Sequence, residues 1–310
     1  MKKLRWFLYP ILAVFLILFV VGTFFDLDIA RGIFDRNDGV SLFFAAFGFM
    51  PGCGVFAFLG GALFANSFLN KDKKAIRIIL IFLALVAVVG SIVFSFGEIF
   101  GVNGYNLPDK KYFGLLIAAP IMLAIAAGGY FFTKDTTNKN LWIPILVLLV
   151  CILLAYFAGT TALKNIFHRP RFRLVVNEGY APFHYWYERC TNYSQIIERY
   201  DFITKEEFKS FPSGHTNITG SLIALTMFLP MLRPTLNKKV NYTLIGGAIF
   251  YTFFIGFTRM RLGAHYLTDI SMGGLLSVVL TLIFNEIVAD YKKMNVIAFP
   301  NDKNEEVETK

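Results

Sequence analysis

The feature that most constrains this chain is a series of long apolar runs, each close to the length needed to cross a bilayer. A hydrocarbon core about 30 Å thick takes roughly 20 apolar residues at a rise of about 1.5 Å per residue. Within that core every backbone N–H and C=O must be paired inside the segment, so such runs read as helices. Runs at about 6–25, 41–69, 76–97, 112–133, 141–163, 215–232, 241–258 and 268–289 give eight candidate spans. The expected fold class is therefore all-α, a polytopic membrane helix bundle of about eight transmembrane helices. The second run is long and contains Pro51-Gly52-Cys53-Gly54, where a tilt or kink is expected. The first run follows Lys2, Lys3 and Arg5 as the core of a signal peptide would. It is long enough to span, and no Ala-x-Ala-like site precedes Asp26, so an uncleaved helix is expected.

Composition agrees. Of 310 residues, 56% are hydrophobic and only 16% are charged, against roughly 25% in soluble domains. The formal charge of +9 raises the question of nucleic acid. In a membrane chain, basic cytoplasmic loops and anionic lipid account for that charge, and no nucleic-acid partner is expected. Charge distribution also orients the bundle. With the N-terminus inside, the basic groups Lys71, Lys73, Lys74 and Arg77, then Lys134 and Lys139, then Arg233, Lys238 and Lys239, and finally Lys292 and Lys293 all fall on the cytoplasmic face. An even number of spans satisfies the positive-inside rule and an odd number breaks it. The loop 26–40, with Asp26, Asp28, Asp35 and Asp38, then lies outside, as does the long polar stretch 164–211. Within that stretch, Gly179 to Tyr187 is rich in aromatics, which suits either a loop anchored at the headgroup level or one that packs its own rings. The tail 301–310 is polar. Of the three cysteines, Cys53 and Cys151 fall in apolar runs and Cys190 in the polar loop. Their spacing suggests free thiols, with no zinc site and no disulfide.

Three polar clusters stand at span ends that this topology places on the outer face. The first runs from Lys164 through His168-Arg169-Pro170-Arg171-Phe172-Arg173. The second is Phe211-Pro212-Ser213-Gly214-His215-Thr216, and the third runs from Thr258-Arg259 to His265 and Asp269. A Pro at a first helical position and an apolar run just beyond make the second cluster a helix start. There, unpaired N–H groups and a partial positive charge suit an anion. His265 and Asp269 are four apart, so on a helix they share a face. The carboxylate would then hold one imidazole nitrogen and free the other as a nucleophile. Arg259, Lys164 and Arg171 suit the oxygens of a phosphoryl group, and His215 suits a proton donor to the leaving oxygen. Taken singly, each has a plainer reading: Lys164, Arg169 and Arg173 as interfacial snorkelling residues, the His–Asp pair as a helix-surface contact, Ser213-Gly214 as a bare helix start. Their coincidence on one face favours a site.

These residues resemble the type 2 phosphatidic acid phosphatase superfamily, whose signature has three parts. Lys164, six residues and Arg171 match its Lys-x6-Arg-Pro part, with Phe172 in place of the Pro. Pro212-Ser213-Gly214-His215 matches the second part in full, and Thr258-Arg259, five residues, His265, three residues and Asp269 match the third, with Thr for Ser. The resemblance covers roughly 164–289. It implies that His265 forms a phosphohistidine, that Asp269 orients it and that His215 protonates the leaving group. By the same resemblance Lys164, Arg171, Ser213, Gly214 and Arg259 bind the phosphate, with no metal and no cofactor. A six-helix phosphatase core at 70–292 follows, preceded by two extra N-terminal helices within 1–69 and followed by a cytoplasmic tail at 293–310.

The implied activity is hydrolysis of a lipid phosphate or diphosphate, such as phosphatidic acid, phosphatidylglycerol phosphate or a polyprenyl diphosphate, at the outer face of a cell membrane. A phosphotransferase using the same site is the first alternative, and a transporter or channel whose basic clusters merely attract anions is the second. If His265 attacks neutral while His215 donates a proton, the rate should be bell-shaped in pH. Nothing in the sequence sets an oligomeric state.

Overall fold

The computed structural model describes residues 4–101, 111–177 and 179–293, so the tail expected at 293–310 lies almost wholly outside the described residues. Those residues are helical, with no strand among them. The long elements are α1 (Leu8–Ile33), α2 (Gly39–Phe47), α3 (Met50–Ser67), α4 (Lys74–Gly101), α5 (Lys111–Thr133), α6 (Trp142–Leu154), α9 (Gly214–Leu232), α10 (Lys238–Arg261) and α11 (Leu267–Lys293). Short helices α7 (Ala162–Phe167) and α8 (Tyr193–Arg199) lie between α6 and α9.

Among the described residues, seven helical stretches are long and apolar enough to cross a membrane, one fewer than the sequence runs suggest. The difference is α9. It has 19 residues, but its first two turns carry His215, Thr216, Asn217, Thr219 and Ser221, and almost all of it is buried. It packs on α10, α11 and α3. A helix shielded on all sides by other helices does not need an apolar surface.

Two boundaries move from their expected places. The first helix continues past Phe25 to Ile33, which brings Asp26 out of the expected loop and into a buried helical position. The second span is broken between α2 and α3 at Gly48 and Phe49, ahead of the Pro51-Gly52 stretch. Pro51 instead sits in the first turn of α3, where its missing N–H has no helical acceptor to lose.

Apolar burial drives little helix association in lipid, so close backbone approach matters more. The Gly- and Ala-rich α3 is the clearest case, with α4 and α5 as its main neighbours. A Cβ on Gly61 would stand 1.8 Å from the Ala126 carbonyl oxygen, and one on Gly129 would stand 2.0 Å from the Phe58 carbonyl oxygen. Each helix thus presents a bare backbone to the other. At the far end of the bundle, the Asn66 amide donates to the Asn138 carbonyl at 2.8 Å and accepts from the Trp142 N–H, fastening the 134–141 turn.

The stretch between α7 and α9 is folded on itself. Leu174, Ala181, Cys190, Ile196, Ile203 and Phe208 form a small core against Tyr180, Tyr193 and Tyr200. Of the aromatics between Gly179 and Tyr187, Tyr180, Phe183 and Trp186 are partly buried, while Tyr185 and Tyr187 are exposed. All three cysteines are free and buried, as their spacing suggested.

Gly61→Val is expected to lower unfolding stability in detergent by about 1–3 kcal/mol or more, because the added atoms meet backbone that cannot yield. Gly32→Ala, where a Cβ meets nothing within 4 Å, should change it by less than about 0.5 kcal/mol. Thermal unfolding followed by circular dichroism checks both.

Candidate active site

Three chain segments converge at the ends of α7, α9 and α11. Between α6 and α7 the helix widens to a π-helical stretch over Ala155–Thr161, a distortion often found beside functional sites. Lys164 follows in α7. That helix ends at His168, whose φ of 47° lies in the left-handed region and turns the chain sharply into Arg169 and Arg171. The His168 ring stacks on Tyr193 at 3.9 Å.

The second segment opens α9. Ser213 is its N-cap, its hydroxyl accepting from the Thr216 N–H at 3.3 Å, and Gly214 is the first helical residue. Pro212 therefore stands just outside the helix, not at the first helical position expected from sequence. Lys164 reaches this helix start: its Nζ lies 3.6 Å from where a Gly214 Cβ would stand. The His215 ring packs edge-on against Phe49 of the α2–α3 connection.

The third segment joins α10 to α11. Gly263 takes a φ of +62°, and its carbonyl accepts from the Arg173 N–H at 3.0 Å, which ties the first cluster to the third. A side chain there would collide with Phe34 and the Arg173 backbone. The Asp269 carbonyl accepts from the Ser213 N–H at 2.9 Å, tying the second cluster to the third. Gly273, one turn on, lets the chains approach: a Cβ on it would stand 2.4 Å from the Ser213 carbonyl oxygen.

The predicted residues meet in this junction. His215 lies within electrostatic reach of Arg259, His265, Lys164 and Arg171. His265 is 1% exposed and Arg259 is 2% exposed. Arg171 is also buried, and its Nε donates to the Glu206 carbonyl at 2.9 Å. As the cap, the Ser213 oxygen accepts from Thr216, which leaves its own hydroxyl proton unspent beside the first N–H groups of α9. Thr258 donates its hydroxyl to the Ile255 carbonyl within its own helix. Phe172, the departure from the family pattern, fills a small apolar cluster against Phe34 and Tyr266.

His265 is held differently from the sequence expectation. It precedes α11, so it and Asp269 are not one turn apart on a helix. Its Nδ1 lies 2.7 Å from the Ser210 carbonyl and 3.6 Å from Asp269 Oδ2. A carbonyl can only accept, so Nδ1 carries the proton and Nε2 keeps the lone pair. Asp269 acts one step back. Its Oδ2 accepts from the Ser210 hydroxyl at 2.5 Å and from the Tyr266 N–H at 2.8 Å, the second being the reach-back bond of a capping box.

Behind Asp269 stands Arg169, read from sequence as a possible snorkelling residue and found fully buried. Its Nη1 donates to Asp269 Oδ1 at 2.6 Å and to the Thr268 hydroxyl at 2.8 Å, and its Nε donates to the His184 carbonyl at 2.9 Å. Its Nη2 donates at 2.9 Å to Asp26 on α1. The guanidinium also lies 4.1 Å from the centre of the Tyr266 ring. Arg173, likewise no snorkeller, pairs with both carboxylate oxygens of Glu207. Asp26, Arg169, Thr268 and Ser210 were not picked out as site residues. Arg169 and Thr268 lie inside the first and third polar clusters, and Asp26 closes an apolar run where the sequence reads as the start of a loop.

Residues 144–293 match the PAP2 superfamily, the family that the three-part signature resembles, and the match spans all three clusters. No curated protein and no solved structure matches the chain. The matched family and the bundle of apolar helices agree with a phosphatase-type function. Among the described residues, no group of three or more His, Cys, Asp or Glu side chains is placed to hold a metal ion.

Burial pushes the His265 imidazolium down to about 3; Asp269 opposes this shift, while Arg171 and Lys164 reinforce it. The ring is therefore neutral above that pH and charges only as pH falls through it. In the free protein, the His265 ¹⁵N signals should show a neutral ring, protonated on Nδ1, from about pH 5 to about pH 9. An acid limb in that range of a rate profile would belong to another group.

Proposed function

We propose that this chain is an integral membrane lipid phosphatase acting through a phosphohistidine at the outer membrane face. The observation that carries the reading is the His265 ring, whose Nδ1 lies 2.7 Å from the Ser210 carbonyl; Nε2 is then left to attack phosphorus, with Lys164 and Arg171 close to His265 and Arg259 close to His215. In the first step Nε2 bonds to phosphorus and the bond from phosphorus to the leaving oxygen breaks. His215 gives that oxygen its proton, so the lipid leaves as an alcohol or, from a diphosphate, as a monophosphate. In the second step water attacks the phosphohistidine. His215 takes the water proton, inorganic phosphate departs and Nε2 is regenerated. The three cations and the first N–H groups of α9 oppose the charge on the equatorial oxygens through both steps.

A cavity supports a lipid as substrate. About 320 Å³ of space lies between α3, α4, α6 and α9, walled by Phe56, Leu83, Val86, Phe94, Leu149 and Phe157 with almost no polar surface. Tyr156 belongs both to this cavity and to the site, its ring 3.5 Å from the Gly214 Cβ position. That volume is within the usual range for ligand pockets, and its wall suits an alkyl or isoprenoid chain. With α9 crossing as a buried eighth span, the short basic loops fall on the side opposite the site, which supports an outward-facing site.

Detergent-purified protein, in chelator and without added metal, should release inorganic phosphate from at least one of phosphatidic acid, phosphatidylglycerol phosphate and a polyprenyl diphosphate. His265→Ala should fall to background, and His215→Ala should lose about 10²- to 10⁴-fold. Full activity in His265→Ala would overturn the mechanism. Label passing to a second lipid in place of water would identify a phosphotransferase.

A further inference from the structure

We propose that Asp26, on the first transmembrane helix, is a positioning residue for the nucleophile, acting through Arg169 and Thr268 on Asp269. The inference rests on the phosphohistidine reading above. Asp26 is 3% exposed and accepts three hydrogen bonds, from Arg169 Nη2, from the Thr268 N–H at 2.9 Å and from the Thr268 hydroxyl. Thr268 in turn accepts from Arg169 Nη1. One carboxylate from α1 thus fixes both the guanidinium and the first turn of α11, the two elements that hold Asp269. Asp269 holds the Ser210 hydroxyl, and the Ser210 carbonyl sets the proton of His265.

The backbone is arranged to permit this. One turn before Asp26 lies Gly22, where a Cβ would stand 2.9 Å from Asp26 Oδ1, from the Thr268 methyl and from the Thr268 backbone nitrogen. Only a bare Cα lets the start of α11 come close enough to donate to Asp26. Trp186 adds a second tie on the same helix face, its indole N–H donating to the Thr23 hydroxyl at 3.1 Å.

Charge completes the argument. Asp26 and Asp269 flank the guanidinium of Arg169, and with both carboxylates ionised the trio carries one net negative charge in a buried setting. As Nε2 bonds to phosphorus the ring gains positive charge, and an Asp269 whose field is not cancelled by Arg169 favours that change. Removing the Asp26 charge leaves Arg169 to neutralise Asp269 alone. The loss then falls on the chemical step and not on phosphate binding, because Asp26 bonds to Arg169 and Thr268, neither of which is a proposed phosphate-binding residue.

The test uses Asp26→Asn, which keeps the shape. The expected result is a kcat lower by more than about tenfold with KM within about twofold, measured per folded protein. Combined with Arg169→Gln, the loss should be well below the product of the two single losses, since one residue acts through the other. A readout that needs no substrate is the His265 ¹⁵N spectrum, which should change from a single Nδ1–H tautomer to a mixture in Asp26→Asn. Should that variant not fold, Gly22→Ala, which leaves every polar group in place, should show the same kcat loss and the same mixture. A wild-type kcat and an unchanged tautomer in either folded variant would overturn the proposal. A wild-type protein that hydrolyses no lipid phosphate counts against the phosphatase reading, while the tautomer result still decides the role of Asp26.

Discussion

The fully buried guanidinium of Arg169 organises this molecule. Arg169 cannot stay charged in a low-dielectric interior without close counter-charges, and removing one partner from a buried ion pair typically costs about 3–5 kcal/mol. Its donors go to Asp26 on α1, to Thr268 and Asp269 on α11, and to the His184 carbonyl of the connecting segment. Three parts of the chain far apart in sequence, α1, the α7–α9 connection and the start of α11, are satisfied together or not at all. Such a network adds little net stability compared with apolar packing, but it rejects arrangements in which any one member is displaced.

The helix bundle supplies what the network needs. Gly22 and Gly273 bring α1 and α9 against the start of α11, so backbone groups from separate helices bond directly at the site. Elsewhere in the bundle, α3 and α5 approach closely through bare glycine backbone, and Asn66 and Asn70 tie the end of α3 to the 134–141 turn. The described residues between α7 and α9 include a small core of their own, and Ser210 at the end of this segment places its carbonyl against His265. The ring proposed as nucleophile is thus held by a backbone carbonyl, and Asp269, expected to hold it directly, bonds to the Ser210 hydroxyl instead.

Much of this was legible in the sequence because lipid imposes simple rules. Span length, basic loops and the three spaced clusters gave the helical bundle and brought Lys164, Arg171, His215, Arg259, His265 and Asp269 into one junction. What could not be read has a common cause: residues whose meaning depends on partners distant in the chain. Asp26 looks like a loop acid until Arg169, 143 positions away, is placed beside it. Arg169 looks like a snorkelling base until Asp26 and Asp269 enclose it. Ser210 contributes through a carbonyl, which no side-chain motif encodes. α9 was counted as a span on its later, apolar half, while its polar opening turns reflect burial among other helices. The periodicity argument for His265 and Asp269 failed because it assumed a helix that begins only at Leu267.

The central claim is that His265 itself takes the phosphoryl group. Wild-type protein mixed with ³²P-labelled lipid phosphate, quenched within one turnover and mapped by proteolysis and mass spectrometry measures this directly. The account predicts a base-stable, acid-labile phosphate on the peptide containing His265, chased by water on longer incubation. Label on His215, on a serine, or on no peptide while phosphate is still released would contradict it.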